Sequence, residues 1–204
     1  MISTRLVLAV AICVSACAPE LNEVAEKYRD SIEVSGQAEP QHFQVECPAD
    51  LFPLKSVETT LTANDCRSSL DACIIECELG SAEHCLAAAF ASEELESHGG
   101  TSLYLRACQL GAPSGCTNAA AYRFGQAERV ADDCIVRSFK LACEHEDAWG
   151  CTMYGNMLGT GNGTTRDWDV ALEMVDKACA IEGEDEEVCI YGLGVLEGAM
   201  FIED

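Results

Sequence analysis

Ala107-Cys108-Gln-Leu-Gly-Ala-Pro-Ser-Gly115-Cys116 returns thirty-five residues later as Ala142-Cys143-Glu-His-Glu-Asp-Ala-Trp-Gly150-Cys151. Both stretches place Ala before a first cysteine and Gly before a second, with seven residues between the cysteines. Cys77 and Cys85 keep the same gap upstream. Cys179 and Cys189 follow downstream with nine residues between them. The first cysteines of these pairs lie 31, 35 and 36 residues apart, a register that marks an internal repeat.

The periodicity within each repeat is helical. Before Cys179, residues Trp168, Ala171, Leu172, Val175 and Ala178 form one apolar stripe. One repeat earlier the same positions hold Asp132, Ile135, Val136, Phe139 and Ala142, ending at Cys143. Tyr104 stands at the Phe139 position one repeat before that. Asp167 or Asp169 suits the start of the later helix. A second apolar helix follows each second cysteine: Leu86, Ala89 and Phe90, then Ala119, Ala120 and Tyr122, then Met153, Tyr154 and Leu158. Gly125 and Gly159 stand where two of these are expected to stop. The pattern predicts eight helices, or about four antiparallel hairpins, in an all-α fold.

The cysteine gap has a geometric reason. Seven residues hold a helix end, a short turn and the next helix start, which returns the second cysteine beside the first. Eight residues along one continuous helix would separate them by about 12 Å. Four clips are therefore expected: Cys77–Cys85, Cys108–Cys116, Cys143–Cys151 and Cys179–Cys189. Each should contribute roughly 2 to 4 kcal/mol.

Around the repeats, composition sets limits. The chain has 204 residues, 12 Lys and Arg against 35 Asp and Glu, and a formal charge of −23. Such a balance excludes binding to a phosphate backbone as the main role, so no nucleic-acid partner is expected. It leaves room for a basic protein or peptide partner. Fourteen cysteines are dense for a chain without disulfides or metal.

The first residues read as a leader: Arg5, an apolar run from Leu6 to Val14, then Val14-Ser15-Ala16-Cys17. This last run resembles a bacterial lipobox, which implies a leader at 1–16 and diacylation of Cys17. The rival is ordinary cleavage after Ala16-Cys17-Ala18. By analogy with Gram-negative sorting, Ala18 rather than Asp after the lipidated cysteine points to the outer membrane. Two or three acyl chains, at about 0.8 kcal/mol per buried methylene, hold a protein to a bilayer without charge attraction. Residues 17–45 are polar and acidic and read as a tether. Residues 46–65 hold Pro48, Pro53 and a β-like run from Val57 to Leu61, and have no place in the repeats. The repeats occupy 66–204. Either cleavage leaves twelve cysteines, an even number that implies disulfides in an exported chain. Beyond the four clips, Cys47, Cys66, Cys73 and Cys134 allow three pairings. A Cys47–Cys66 bridge would staple the N-terminal piece, and Cys73 alternatively sits in the core.

Gly150-Cys151-x2-Tyr154-Gly155-x3-Gly159-x-Gly161-x-Gly163-x3-Asp167-x3-Ala171-x6-Ala178-Cys179 resembles a Sel-one-like repeat. The cysteine-paired form is similar to the Hcp family of cysteine-rich, β-lactamase-like exported proteins. The resemblance implies an αα-solenoid, a tetratricopeptide-like right-handed superhelix with a concave face that binds protein or peptide. It also carries a rival function, a β-lactamase-like hydrolase or a binder of penicillin or peptidoglycan peptides. Tyr104, Tyr122, Phe124, Trp149 and Tyr154 are the candidate binding face.

The residues offer no catalytic set for the rival. Ser-x-x-Lys is absent, and Gly111-Ala-Pro-Ser-Gly115 lacks the spacing of a nucleophile elbow. His42, His84, His98 and His145 are scattered. Zinc sites use closer cysteine pairs, and a thioredoxin-like role needs Cys-x-x-Cys, which is missing. The loop Gly159-Thr-Gly-Asn-Gly163 lacks the lysine of a phosphate loop. The acidic run Glu182 to Glu187 lacks the spacing of a calcium loop. No metal, cofactor or catalytic residue is expected.

Overall fold

The computed structural model describes residues 47–95, 100–184 and 186–200. The expected leader (1–16), Cys17 and the expected tether lie outside them. Among the described residues the chain is all helical, with ten helices and no strand. Two short helices, α1 (Pro48–Leu51) and α2 (Ala63–Arg67), precede four pairs. The pairs are α3 (Leu70–Glu78) with α4 (Ala82–Glu94), α5 (Gly100–Gln109) with α6 (Pro113–Gln126), α7 (Asp133–Glu144) with α8 (Ala148–Thr160), and α9 (Trp168–Glu182) with α10 (Glu187–Met200). Each long helix packs on the next in sequence. The second helices of successive pairs also meet, α6 with α8 and α8 with α10.

Three of the pairs turn in the same way. Leaving α3, α5 and α7, the amides of Ser81, Ala112 and Asp147 donate back to the carbonyls of Glu76, Ala107 and Ala142 at 3.0, 2.9 and 3.0 Å. One residue earlier, Gly80, Gly111 and Glu146 donate to the carbonyls of Cys77, Cys108 and Cys143. This double closure needs a left-handed residue after the helix. Gly80 (φ +101°), Gly111 (φ +98°) and Glu146 (φ +65°) supply it. The first cysteine of these three clips thus sits at a fixed place in a repeated turn. Glu146 carries a Cβ where its counterparts carry none, at a cost of about 1 kcal/mol. Glu146→Gly should therefore raise stability by roughly 0.5–1 kcal/mol in denaturant unfolding.

Sulfur bridges close these turns. Cys77–Cys85, Cys108–Cys116 and Cys143–Cys151 have Cα atoms 4.5, 4.7 and 4.3 Å apart, and Cys179–Cys189 has them 4.8 Å apart. The glycines before two of the second cysteines have a steric role. A Cβ on Gly115 would lie 2.7 Å from the Cys108 amide nitrogen and the Tyr104 carbonyl oxygen. A Cβ on Gly150 would lie 2.7 Å from the Ala142 Cβ. Paired helices therefore approach to backbone distance beside the bridge.

Helix starts follow the side chains. Asp132, Asp147 and Asp167 accept the amides of Ile135, Gly150 and Val170 at 2.9, 2.7 and 3.1 Å. Asp167 is the cap of α9 and Asp169 lies in its first turn. The stops differ from expectation. Gly125 and Gly159 both lie inside helices, and α8 ends at the left-handed Gly161. Gly159 is a packing residue, since a Cβ there would run into the Leu196 side chain.

The stripe of α7 is buried from Ile135 to Cys143, with Phe139 fully enclosed. In α9, Ala171, Val175, Ala178 and Cys179 are buried, but Leu172 faces outward. Gly155 draws α9 against α8 along Ala171, Met174 and Val175, which turns Leu172 away from the core.

The N-terminal piece has a place after all. Its β-like run forms no strand, because its described backbone bond is a single contact, Val57 N–H to Gly111 carbonyl at 2.8 Å. The expected Cys47–Cys66 staple is not made. Cys47 joins Cys134 in α7, 87 residues away, and Cys66 joins Cys73. Between them the chain is a strap. The Ala49 amide donates to Ser138 Oγ at 3.2 Å, Asp50 pairs with Arg137 at 2.6 Å, and Phe52 meets the His145 ring at 4.7 Å. The strap then passes Gly111 and reaches α4, where Thr60 donates to Glu83 at 3.2 Å. Its two ends are held instead by different helices, Cys47 by α7 and Cys66 by α3.

Candidate functional site

The five aromatic residues expected on one binding face are dispersed. Tyr104 is 1% exposed and belongs to the core. Its ring meets Phe90 edge-on at 5.4 Å, and its hydroxyl donates to Glu93 Oε2 at 2.8 Å. Burial, and then the neighbouring Glu93 carboxylate, push the phenol far above its ordinary pKa. Its removal from the surface follows from its repeat position, which is that of the buried Phe139. Phe124 and Tyr154 are half-buried, packed on clusters around Phe139 and Val175 respectively. Tyr122 and Trp149 are exposed. Trp149 meets Tyr191 of α10 with ring centroids 5.7 Å apart. Tyr191 lies beyond the last clip, where the cysteine spacing and apolar stripes do not single it out.

The described surface is also partly covered by the chain itself. Helix α1 packs on α5, α6 and α7, and Pro48 is buried there. What remains open includes Tyr122 on α6, the Trp149–Tyr191 pair, and the outward side of α10.

The motifs that invite a chemical reading have structural roles. His84 Nδ1 lies 2.7 Å from Ser81 Oγ at the start of α4, and His145 packs under Phe52. His42 and His98 lie outside the described residues. Asn162, in the glycine-rich loop, accepts the Ala131 amide at 2.9 Å and donates to the Arg129 carbonyl at 2.8 Å. A Cβ on Gly163 would sit 2.6 Å from the Ala131 carbonyl oxygen. This loop, which joins α8 to α9, is therefore locked onto the preceding connection between α6 and α7. Among the described residues no group of three or more His, Cys, Asp or Glu is placed to hold a metal ion. Asn156 is buried in α8, and neither atom of its amide finds a partner among the described residues.

Cations are spent on internal contacts. Arg123 pairs with Asp132 at 2.6 Å, and Arg137 with both Asp50 and Asp133. Arg67 pairs with Glu94, and Lys177 Nζ donates to the Cys143 carbonyl at 2.6 Å. Burial pushes the Asp132 carboxyl up, but Arg123 and the amides of Ile135 and Cys134 outweigh it and hold it below the usual range. The Asp50 carboxyl is likewise held down by Arg137. What the surface presents outward is mainly acidic and, in places, apolar. No protein-family model and no curated protein matches this chain.

Proposed function

We propose that this protein is an exported bacterial lipoprotein of Sel-one-like type, held to the outer membrane through an acylated Cys17. Its helix pairs form an αα-solenoid that acts as a non-catalytic scaffold for a protein or peptide in the cell envelope. The observation that carries this reading is the repeated turn, three times closed by the same two backbone bonds and the same disulfide. Disulfides at this density belong to an oxidising compartment. Stacked helix pairs with little core of their own are stable as a series, and such series offer extended surfaces for partners. Exposed Tyr122 and Trp149 on a cross-linked framework fit contact residues, since rigid aromatics give area at low entropic cost.

Two results test this. Cys17→Ser should move the protein from the membrane fraction to the soluble fraction of the envelope, and its retention in the membrane would reject the anchor. A photo-crosslinking side chain at position 122 or 149, placed in living cells, should give discrete protein or peptide adducts, whereas position 76 should give none. Absence of adducts together with repeated turnover of a chromogenic cephalosporin would reject the scaffold in favour of a hydrolase.

A further inference from the structure

The outermost described helix, α10, is apolar on both sides. Its inner side holds Val188, Cys189, Gly192, Leu196 and Ala199, all buried. Its outer side carries Ile190, Tyr191, Leu193 and Met200, which are 60%, 45%, 40% and 55% exposed. At 100° per residue these four fall within about half of the helix circumference, interspersed with Glu187, Gly194, Glu197 and Gly198. A helix face facing only water is ordinarily polar. Large apolar side chains gathered on one exposed face point to an interaction surface.

The glycines show what kind of object fits. Five other helix glycines of this chain admit a neighbouring helix, whereas Gly125 of α6 faces open space. Gly115, Gly150, Gly155, Gly159 and Gly192 each have another helix within 3.0 Å of the place a Cβ would take. Gly194 and Gly198 are one turn apart on the outer arc, and nothing lies within 4 Å of theirs. Each weakens the helix relative to alanine. Set among exposed apolar side chains, these two leave room for the close approach of one more helix.

Charge selects the partner. From residue 178 to residue 200 the chain has no Lys or Arg. Over the same span Glu182, Glu184, Glu186, Glu187 and Glu197 are exposed. The two nearest cations are already engaged, Lys177 on the Cys143 carbonyl and Arg166 on the Ala199 carbonyl. A second copy of this chain would bring the same sign to the same face, and an anionic membrane would be repelled. A helix with apolar residues on one side and Lys or Arg along its edges meets both features.

We infer that the outer face of α10 docks a cationic amphipathic helix of a partner protein, with Ile190 and Leu193 as apolar anchors and Glu187 and Glu197 as charge partners. This rests on the scaffold reading and names the partner class.

The test uses the full exported chain with its disulfides formed and Cys17→Ser to avoid detergent. The probe is a fluorescein-labelled 14-residue amphipathic helix of Leu, Ala and Lys, titrated by anisotropy. A Glu-for-Lys counterpart and a scrambled sequence are compared. The Lys helix should bind at least about tenfold more tightly than either. Its affinity should fall several-fold when salt rises from about 0.05 to about 0.3 M, as the Debye length shortens. Ile190→Ser with Leu193→Ser should weaken it about tenfold or more. Glu187→Gln with Glu197→Gln should weaken it several-fold and flatten the salt dependence. Leu79→Ser, an exposed leucine at the α3–α4 turn, should change nothing. Circular-dichroism melts confirm that each variant is folded. Equal binding of the scrambled peptide, or indifference to Ile190→Ser with Leu193→Ser, would overturn the assignment, as would dimerisation in sedimentation that Leu193→Ser abolishes. Such failures with crosslinks intact at positions 122 and 149 would remove the α10 site alone. Loss of those crosslinks would remove the scaffold reading itself.

Discussion

Replacing Cys47 and Cys134 together by serine should lower the stability of the folded chain by about 4–5 kcal/mol. This bridge spans 87 residues, whereas the clips between paired helices span 8 or 10. Loop-closure entropy in the unfolded chain rises with the logarithm of loop length, so the long bridge removes the most. Cys143→Ser with Cys151→Ser should cost only about 2.5 kcal/mol by the same reasoning. The long bridge also has a local consequence. Without it the strap is held near α7 by the Ala49–Ser138 hydrogen bond, the Asp50–Arg137 pair and the Phe52–His145 contact. The ion pair is exposed and contributes little. Denaturant unfolding of both double variants measures the difference. Equal losses would mean that the unfolded chain is not the state these bridges act on. Amide exchange should show residues 47–61 opening first in the variant lacking the long bridge.

Gly115→Ala should destabilise by about 3 kcal/mol, although alanine is the better helix former by about 1 kcal/mol. The added methyl would stand 2.7 Å from two backbone atoms of α5, the Cys108 nitrogen and the Tyr104 oxygen. Backbone atoms within a helix do not step aside as a side-chain tip does. The next residue, Cys116, is bridged to Cys108, so α6 has no freedom to slide away without straining the clip. Gly125→Ala gives the opposite sign. It lies in the same helix with nothing within 4 Å of the new methyl, and should gain roughly 0.5 kcal/mol. Thermal or denaturant melts of the two variants side by side separate packing from propensity. A gain at both positions would show that α5 and α6 lie further apart than described.

The local devices of this fold were legible because each is written within a dozen residues. A gap of seven between cysteines reports a helix-turn-helix closure, and Asp167 before Trp168 reports a helix start. The repeated turn itself was also there to be read. Gly80 and Gly111 each stand three residues after the first cysteine of a clip, with Glu146 in the same place. Its left-handed geometry is hidden in the sequence because the third copy has Glu146 in place of glycine. Long-range features left no such mark. Nothing near Cys47 in sequence points to Cys134, and an extended strap has no period. Leu172 fits a helical stripe by spacing alone, yet one close approach at Gly155 rotates α9 and leaves it outside. Tyr104 shows that repeat position is the stronger guide than residue type. Its alignment with Phe139 foretold burial, while its aromatic ring invited a surface role. The outer face of α10 was masked for the converse reason, since Ile190, Tyr191 and Leu193 match a repeat whose counterparts elsewhere are covered.

The most direct measurement is peptide mapping by mass spectrometry of the membrane-extracted protein, digested without reduction. The expected map holds six bridges: Cys47–Cys134, Cys66–Cys73, Cys77–Cys85, Cys108–Cys116, Cys143–Cys151 and Cys179–Cys189. It also holds an N-terminal peptide that begins at an acylated Cys17. Free thiols at the paired positions, or metal retained with them, would contradict an exported, disulfide-clipped scaffold.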